Sequence, residues 1–404
     1  MGSGKMNEAV TEAQSSFDGK RYVAVIFALA MGGFVIGLSE FSIMGLMPNV
    51  ASDFGVTEQS VGNLISAYAL GVVVGAPAFA ILGGRLRRKT MLMALMSAYA
   101  IANLFSGLAS SYHWMLAFRF IAGLPHGAFF GVAALVAASV ARPGQRGAAV
   151  ARVMMGITLA LLVGNPLAVS LGQTLSWRYA FIAVTVGALI TVALVAVALP
   201  TDRKEEPTNP LTELRDFNRA PVWLALLVGA VGFAGMFCVF SYLAPTMLNT
   251  TRVSANWIPF GVAAFGVGSL IGAQLGGWLF DRFRSQAVAI SLLGALVVLL
   301  IYPLAATSSL TVIPAVVLLG TMGTLAPIMQ IHLMDVAKGA QTLAAASNQA
   351  AFNVANALGP WAGGVAITAG LPWESTGFVG AALALAALII WWLAPRRIKE
   401  HSHP

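Results

Sequence analysis

The chain has 404 residues, of which 58% are hydrophobic and 9% charged, with 23 Lys and Arg against 15 Asp and Glu. So few charges cannot clothe a water-soluble fold of this length, and a mean hydropathy of +0.82 makes lipid the missing solvent. The formal charge of +8 is not gathered on one soluble face, which excludes a nucleic-acid partner, and the single cysteine, Cys238, lies in an apolar run, which excludes a disulfide framework and reads as plain packing.

Residues 1–21 read as a flexible N-terminal segment, because MGSGKM resembles a leader before Met6 and Asn7 to Lys20 is polar. A membrane-crossing helix needs about 20 mostly apolar residues. Six such runs follow, at Tyr22 to Met47, Ser60 to Leu82, Thr90 to Leu108, Tyr112 to Val140, Ala148 to Leu171 and Tyr179 to Leu199. A polar linker, 200–220, separates them from six more, at Pro221 to Met247, Ile258 to Leu279, Ala287 to Ala306, Leu310 to Leu333, Thr342 to Ala369 and Ser375 to Leu393. The prediction is an all-α membrane protein of 12 spans, with one bundle over 22–199, a second over 221–394 and a short tail at 395–404.

Lys and Arg mark the cytoplasmic loops of such a chain. Lys20, Arg21, Arg85, Arg87, Arg88, Lys89, Arg142, Arg146, Arg203, Lys204, Arg282, Arg284, Arg396 and Arg397 all fall on one side, whereas the other side has only Arg178 and Arg252. Both termini, the linker and the tail are therefore expected in the cytoplasm. A shift of 197 positions superposes Pro48 on Pro245, Val56-Thr57 on Val253-Ser254, Gly71 on Gly268, Gly75 on Gly272 and Arg85 on Arg282. This internal repeat predicts two pseudo-symmetric six-helix bundles around a central cavity, as in secondary transporters that rock between two states.

Three groups of residues carry a family resemblance. Gly83-Gly84-Arg85-Leu86-Arg87-Arg88-Lys89 follows the second span, and its repeat copy ends in Asp281-Arg282-Phe283-Arg284. The fourth span holds Arg119-Phe120-Ile121-Ala122-Gly123, and the fifth holds Gly156, Gly164-Asn165-Pro166 and Gly172. The stretches starting at Ser39-Glu40-Phe41, Ser66-Ala67-Tyr68 and Gly123-Leu124-Pro125-His126 complete the pattern. Together they resemble the major facilitator superfamily, specifically its twelve-span drug:proton antiporter group and the arabinose efflux permease-like branch. The resemblance implies that Arg85, Arg88, Asp281 and Arg282 form a cytoplasmic gate, although the acid expected before Arg85 is absent. It also associates Arg119 with proton coupling.

Glu40 is a carboxylate inside an apolar helix, where a charge costs several kcal/mol unless it is paired, protonated or hydrated, so it is read as the proton-exchanging group. At about 1.5 Å per residue, Glu40 and Arg119 lie at similar depth, which makes Arg119 its expected counter-charge. Arg119, Gly123, His126 and Phe130 share a helical face; His126 is assigned to proton coupling and Phe130 to substrate binding. Gln349, Asn353 and Asn356 form a polar stripe on the eleventh span, and Phe237, Phe240 and Tyr242 offer rings on the seventh. Each set reads either as helix-to-helix packing or as substrate contact, and both are carried as substrate-binding candidates. Gly164 with Pro166, and Gly359 with Pro360, are expected to bend their helices.

Residues and resemblance together imply a proton-coupled transporter that exports drug-like, amphipathic or sugar-like small molecules by alternating access, as multidrug efflux requires. The expected site is the bacterial inner membrane, and a monomer is expected. A proton-coupled importer or facilitator of sugars or nucleosides stays open as an alternative, as does a non-transporting membrane receptor. No Walker-type loop, triad or metal-ligand spacing is present, so no enzyme activity, no metal and no cofactor other than the coupling proton is expected.

Overall fold

The structure is a computed structural model, and it describes residues 2–83, 86–142, 145–199, 219–337 and 341–393. Regular structure among the described residues is helical throughout. The long helices of the first half are α1 (Gly2–Gly45), α2 (Glu58–Gly83), α3 (Arg88–Gly107), α4 (Tyr112–Val140), α5 and α6 (Arg178–Ala198). Within α5, Arg146–Leu159 and Asn165–Thr174 are joined by a π-turn at Ala160–Gly164. The second half holds α7 (Ala220–Ser241), α8 (Ile258–Phe283), α9 (Gln286–Ala305), α10 (Val312–Ala337), α11 (Gln341–Thr368) and α12 (Thr376–Leu393). Ten of the twelve are long and apolar enough to span a membrane over their described residues. The other two, α2 and α11, have 26 and 28 residues, which at 1.5 Å per residue gives about 40 Å, more than a hydrocarbon core of about 30 Å. Helical backbone also reaches back to Gly2, where the sequence reading expects flexibility; no proline interrupts this stretch, so the helix propagates outward from its apolar part.

The repeat is visible in packing. In the first half α1 lies against α5 and α6, α2 against α4, and α3 against α6. Six helices later the same pairs recur, α7 with α11 and α12, α8 with α10, and α9 with α12. Both α1 and α7 end early, at Gly45 and Ser241, and restart as the short helices Met47–Phe54 and Leu243–Asn249. Pro48 and Pro245 cause this, because each lacks an N–H and its ring clashes with the preceding turn. The first and seventh spans are thus shorter than their apolar runs suggested. The next turn repeats as well: Gly55 and Arg252 both take left-handed backbone, with φ of 62° and 58°.

Glycines set the close contacts. A Cβ on Gly71 or Gly123 would collide with a carbonyl of the facing helix, Phe120 or Tyr68, and a Cβ on Gly268 or Gly320 would meet Val317 or Phe265. The pairs α2–α4 and α8–α10 therefore touch backbone to backbone, as small-residue motifs allow. The two halves join chiefly along α2–α11 and α5–α8, with lighter contacts of α1 with α7 and α8 and of α4 with α11. At the end of the bundle away from Gly2 and Leu393, here the distal end, the short helices also touch each other. Arg178, one of the two basic residues at that end, is tied down locally. It pairs with Asp53 of the first short helix, donates to the Ala109 carbonyl at 2.8 Å and lies over the Trp177 ring. Large apolar side chains such as Leu167, Val197, Leu304 and Trp392 face outward, as a lipid-solvated protein requires.

Candidate functional site

Polar side chains that cannot reach water gather where α1, α2, α3, α4 and α11 converge. Ser39, Arg119, His126, Asn103 and Asn356 are fully buried and Glu40 is 1% exposed. An apolar surrounding makes each of these groups costly unless a partner satisfies it. Ser39 Oγ donates to Asn103 Oδ1 at 2.6 Å, and Asn103 Nδ2 donates to the Tyr99 carbonyl at 2.9 Å. The Tyr99 and Tyr68 hydroxyls are 2.9 Å apart, and the Tyr68 hydroxyl is 3.1 Å from His126 Nδ1. Ser39 and Asn103 thereby tie α1 to α3, and the Tyr99 and Tyr68 hydroxyls tie α3 to α2 and to His126 of α4.

Arg119 closes the cluster from α4. Its Nη1 donates to the carbonyl and the hydroxyl of Ser39, both at 3.1 Å, and its guanidinium lies 4.2 Å from the Tyr68 ring centroid. Cation–π contact of this kind partly replaces the lost hydration of a buried guanidinium. Arg119 and Glu40 are close enough to interact electrostatically. The direct ion pair expected from the sequence is not formed, however, because Arg119 turns to the neighbouring residue, Ser39. Its Nε and Nη2 have no hydrogen-bond partner. Glu40 Oε1 instead accepts from Asn356 Nδ2 at 2.8 Å, a bond from α1 of one half to α11 of the other.

Of the sequence-assigned residues, Glu40, Arg119, His126 and Asn356 come together. Phe130 packs edge-on to His126 with centroids 5.4 Å apart. Phe237 and Phe240 lie on the α1–α7 seam, where Phe41 stacks on Phe237 at 6.3 Å, and Phe240 stacks on Phe265 at 3.7 Å. Tyr242 is at the distal seal: its hydroxyl donates to the Pro360 carbonyl at 2.8 Å, and it faces Gly62 of the other half. Gln349 and Asn353 bond along α11, Asn353 Nδ2 donating to the Gln349 carbonyl at 2.9 Å. Gly164 ends the π-turn of α5 directly before Asn165-Pro166, which is the ladder shift that a missing N–H invites. By contrast α11 continues as helix through Gly359 and Pro360, with Gly359 pressed against the Ala234 carbonyl. Of the gate residues, Arg85 lies outside the described residues, Arg88 opens α3, and Asp281 and Arg282 are exposed at the end of α8. Phe41 belongs to the seam beside the site, and Tyr68, Tyr99 and Asn103 belong to the site without having been assigned to it from the sequence. Their signal was available, since a tyrosine or asparagine within an apolar span needs a buried partner.

The family model described as Major Facilitator Superfamily matches residues 29–320 and 225–404. The chain is 35% identical to Putative transporter AraJ of Escherichia coli K12 over 90% of this chain and 93% of that protein. It is 35% identical to the E. coli K12 Inner membrane transport protein YdhP, over 93% of this chain and 97% of that one. A Chloramphenicol resistance protein of Streptomyces lividans is 33% identical over 83% of this chain and 87% of its own length. Among solved structures, an inward-facing, occupied bacterial homolog of the human lysosomal transporter Spinster superposes with a TM-score of 0.73. It covers 92% of this chain and 96% of that one at 17% identity, a likeness of fold.

Proposed function

The chain belongs to the major facilitator superfamily, and from that premise we propose that it is a proton-coupled exporter of small amphipathic or drug-like molecules, with Glu40 as the proton-exchanging carboxyl. One observation carries the reading: the Glu40 carboxyl is buried where both halves meet, in the field of a buried Arg119 of its own half and hydrogen-bonded to Asn356 of the other. A rocking transporter needs its coupling group at such a place, where protonation and the arrangement of the halves each alter the other's free energy. Arg119, held on Ser39 and Tyr68, supplies the fixed positive charge. His126, bonded to the Tyr68 hydroxyl, is the second titratable side chain of the cluster, carried on α4.

Cargo class and direction draw support from the relatives and the rings. One relative is named for chloramphenicol resistance, and Phe41, Phe237 and Phe240 present aromatic faces at the seam. Such faces suit apolar, adaptable contact once the halves separate. The bias of Lys and Arg supports cytoplasmic termini, which makes the distal end the outer one, and the name of the YdhP relative supports the inner membrane.

In an antiporter, cargo and proton compete for one site. Purified protein in a thermal-shift screen of sugars, nucleosides and antimicrobial cations is therefore expected to show hits whose stabilisation grows as pH rises. Hits whose stabilisation is independent of pH, or grows on acidification, would overturn the antiport reading.

A further inference from the structure

The stripe on α11 offered Asn356 as a substrate contact, and the structure gives it a different neighbour. Asn356 is fully buried, its Nδ2 donates to Glu40 Oε1 at 2.8 Å, and its own Oδ1 has no hydrogen-bond partner. A primary amide facing a carboxyl can form one hydrogen bond or two. With a carboxylate it donates once, and its own oxygen is left facing negative charge. With a carboxylic acid it closes a ring, because the acid O–H donates back to the amide oxygen while the amide N–H still donates to the acid carbonyl. Buried orphan acceptors are rare and costly, and the second bond removes this one.

We propose that Asn356 is the residue through which the protonation of Glu40 closes the distal seam. With a proton on Glu40, the acid–amide ring ties α1 to α11 by two hydrogen bonds, and the halves stay together. Loss of that proton leaves one bond and a facing pair of oxygens. The carboxylate then has a competing partner on its own half, the Nε and Nη2 of Arg119, which lack hydrogen bonds in the closed arrangement. Proton release thus transfers Glu40 from a bond between the halves to a bond within one half. Nothing but the proton is exchanged in this step, and no covalent bond between heavy atoms changes.

The groups facing Glu40 agree with this assignment. Arg119 of α4, Tyr68 of α2 and Tyr99 of α3 are its electrostatic neighbours, His126 joins them through Tyr68, and α11 contributes the neutral amide of Asn356. Among the described residues Arg119 carries the one fixed charge there, and it belongs to the same half as Glu40. The only group able to read the proton from across the seam is therefore Asn356 among the described residues. Other seam contacts nearby, Ser66 Oγ on the Ala357 carbonyl at 2.9 Å and Phe41 against Phe237, contain no titrating group. The direction suits the exporter on which this inference rests, because a proton loaded from outside would then close the outer side behind it.

The test uses the full chain in lipid nanodiscs, with Cys238→Ser as background and spin labels at Thr57→Cys and Leu371→Cys, positions exposed at the distal end of either half. The label separation is measured by double electron–electron resonance at acid and alkaline pH. In the unmodified background, the longer, seam-open separation gains about tenfold in population on going to alkaline pH, the change that one buried hydrogen bond carries. Glu40→Gln keeps the ring, because its amide donates to Asn356 Oδ1, and stays seam-closed at both pH values. Asn356→Leu, close in shape, opens the seam about tenfold at acid pH and flattens the pH response. Asn356→Ser gives the same readings where leucine is not tolerated. An Asn356→Leu or Asn356→Ser variant that retains the background pH response overturns the role of Asn356. A Glu40→Gln variant that retains it overturns the Glu40 reading itself, so the two failures are distinguishable.

Discussion

Gly266 lies on α8 where that helix crosses the π-turn of α5, on the seam between the halves. A Cβ added there would stand 2.7 Å from the Leu161 carbonyl oxygen, 2.8 Å from its carbon and 2.9 Å from Leu162 Cα. All three are backbone atoms that cannot swing aside. Reaching an ordinary separation of about 3.4 Å requires the helices to part by about 0.7 Å. Overpacking of this kind costs about 1–3 kcal/mol. Because the contact joins two bundles and completes the core of neither, that cost falls on the closed seam alone. At 1.4 kcal/mol per tenfold, Gly266→Ala should shift the closed-to-open ratio by about 5- to 150-fold towards open. The Thr57–Leu371 label pair reads the shift directly, and the thermal midpoint should change little. An unchanged distance distribution with a clear fall in thermal midpoint would refute the reasoning, since it would place the strain in the fold of the bundles.

Contacts within one half should behave in the opposite way. Gly123→Ala drives a Cβ into the Tyr68 carbonyl of the same bundle, whereas Gly131→Ala meets nothing within 4 Å. The first should lower the thermal midpoint by the equivalent of about 1–3 kcal/mol, and the second should leave it unchanged, as a melting curve of each will show. Asp53→Asn removes the ion pair with Arg178, whose side chains are 31% and 45% exposed. Screening at such exposure limits the loss to about 0.2–1 kcal/mol. The deficit should shrink further in high salt, and melting at two ionic strengths checks it.

Much of the architecture was legible because lipid makes simple demands of a sequence. Apolar runs gave the spans, and the 197-residue repeat reappeared in the paired prolines, in the turns at Gly55 and Arg252, and in the glycine contacts of α2–α4 and α8–α10. Glu40, Arg119 and His126 were legible as a candidate site for a related reason: ionisable groups in apolar helices are costly and need a buried partner or a use. Partner choice was not legible. Helical spacing showed that Gln349, Asn353 and Asn356 share a face, but not that the α2–α11 seam would bring one of them to Glu40. Equal depth suggested a Glu40–Arg119 ion pair, yet the rotamer of Arg119 is set by Ser39 and the Tyr68 ring, which lie on two other helices. The π-turn of α5 was expected only as a bend, since periodicity does not tell a kink from a shifted hydrogen-bond ladder. Arg178 looked like an exception to the charge bias until its pairing with Asp53 showed a local anchor.

Coupling through Glu40 is tested by transport in proteoliposomes with an imposed pH gradient, using a cargo found in the thermal-shift screen. The wild-type protein should drive that cargo against its own gradient in the direction opposite to proton flow, and Glu40→Gln should lose the gradient-driven component while still binding cargo. Gradient-driven counterflow in Glu40→Gln at the wild-type rate would contradict the account.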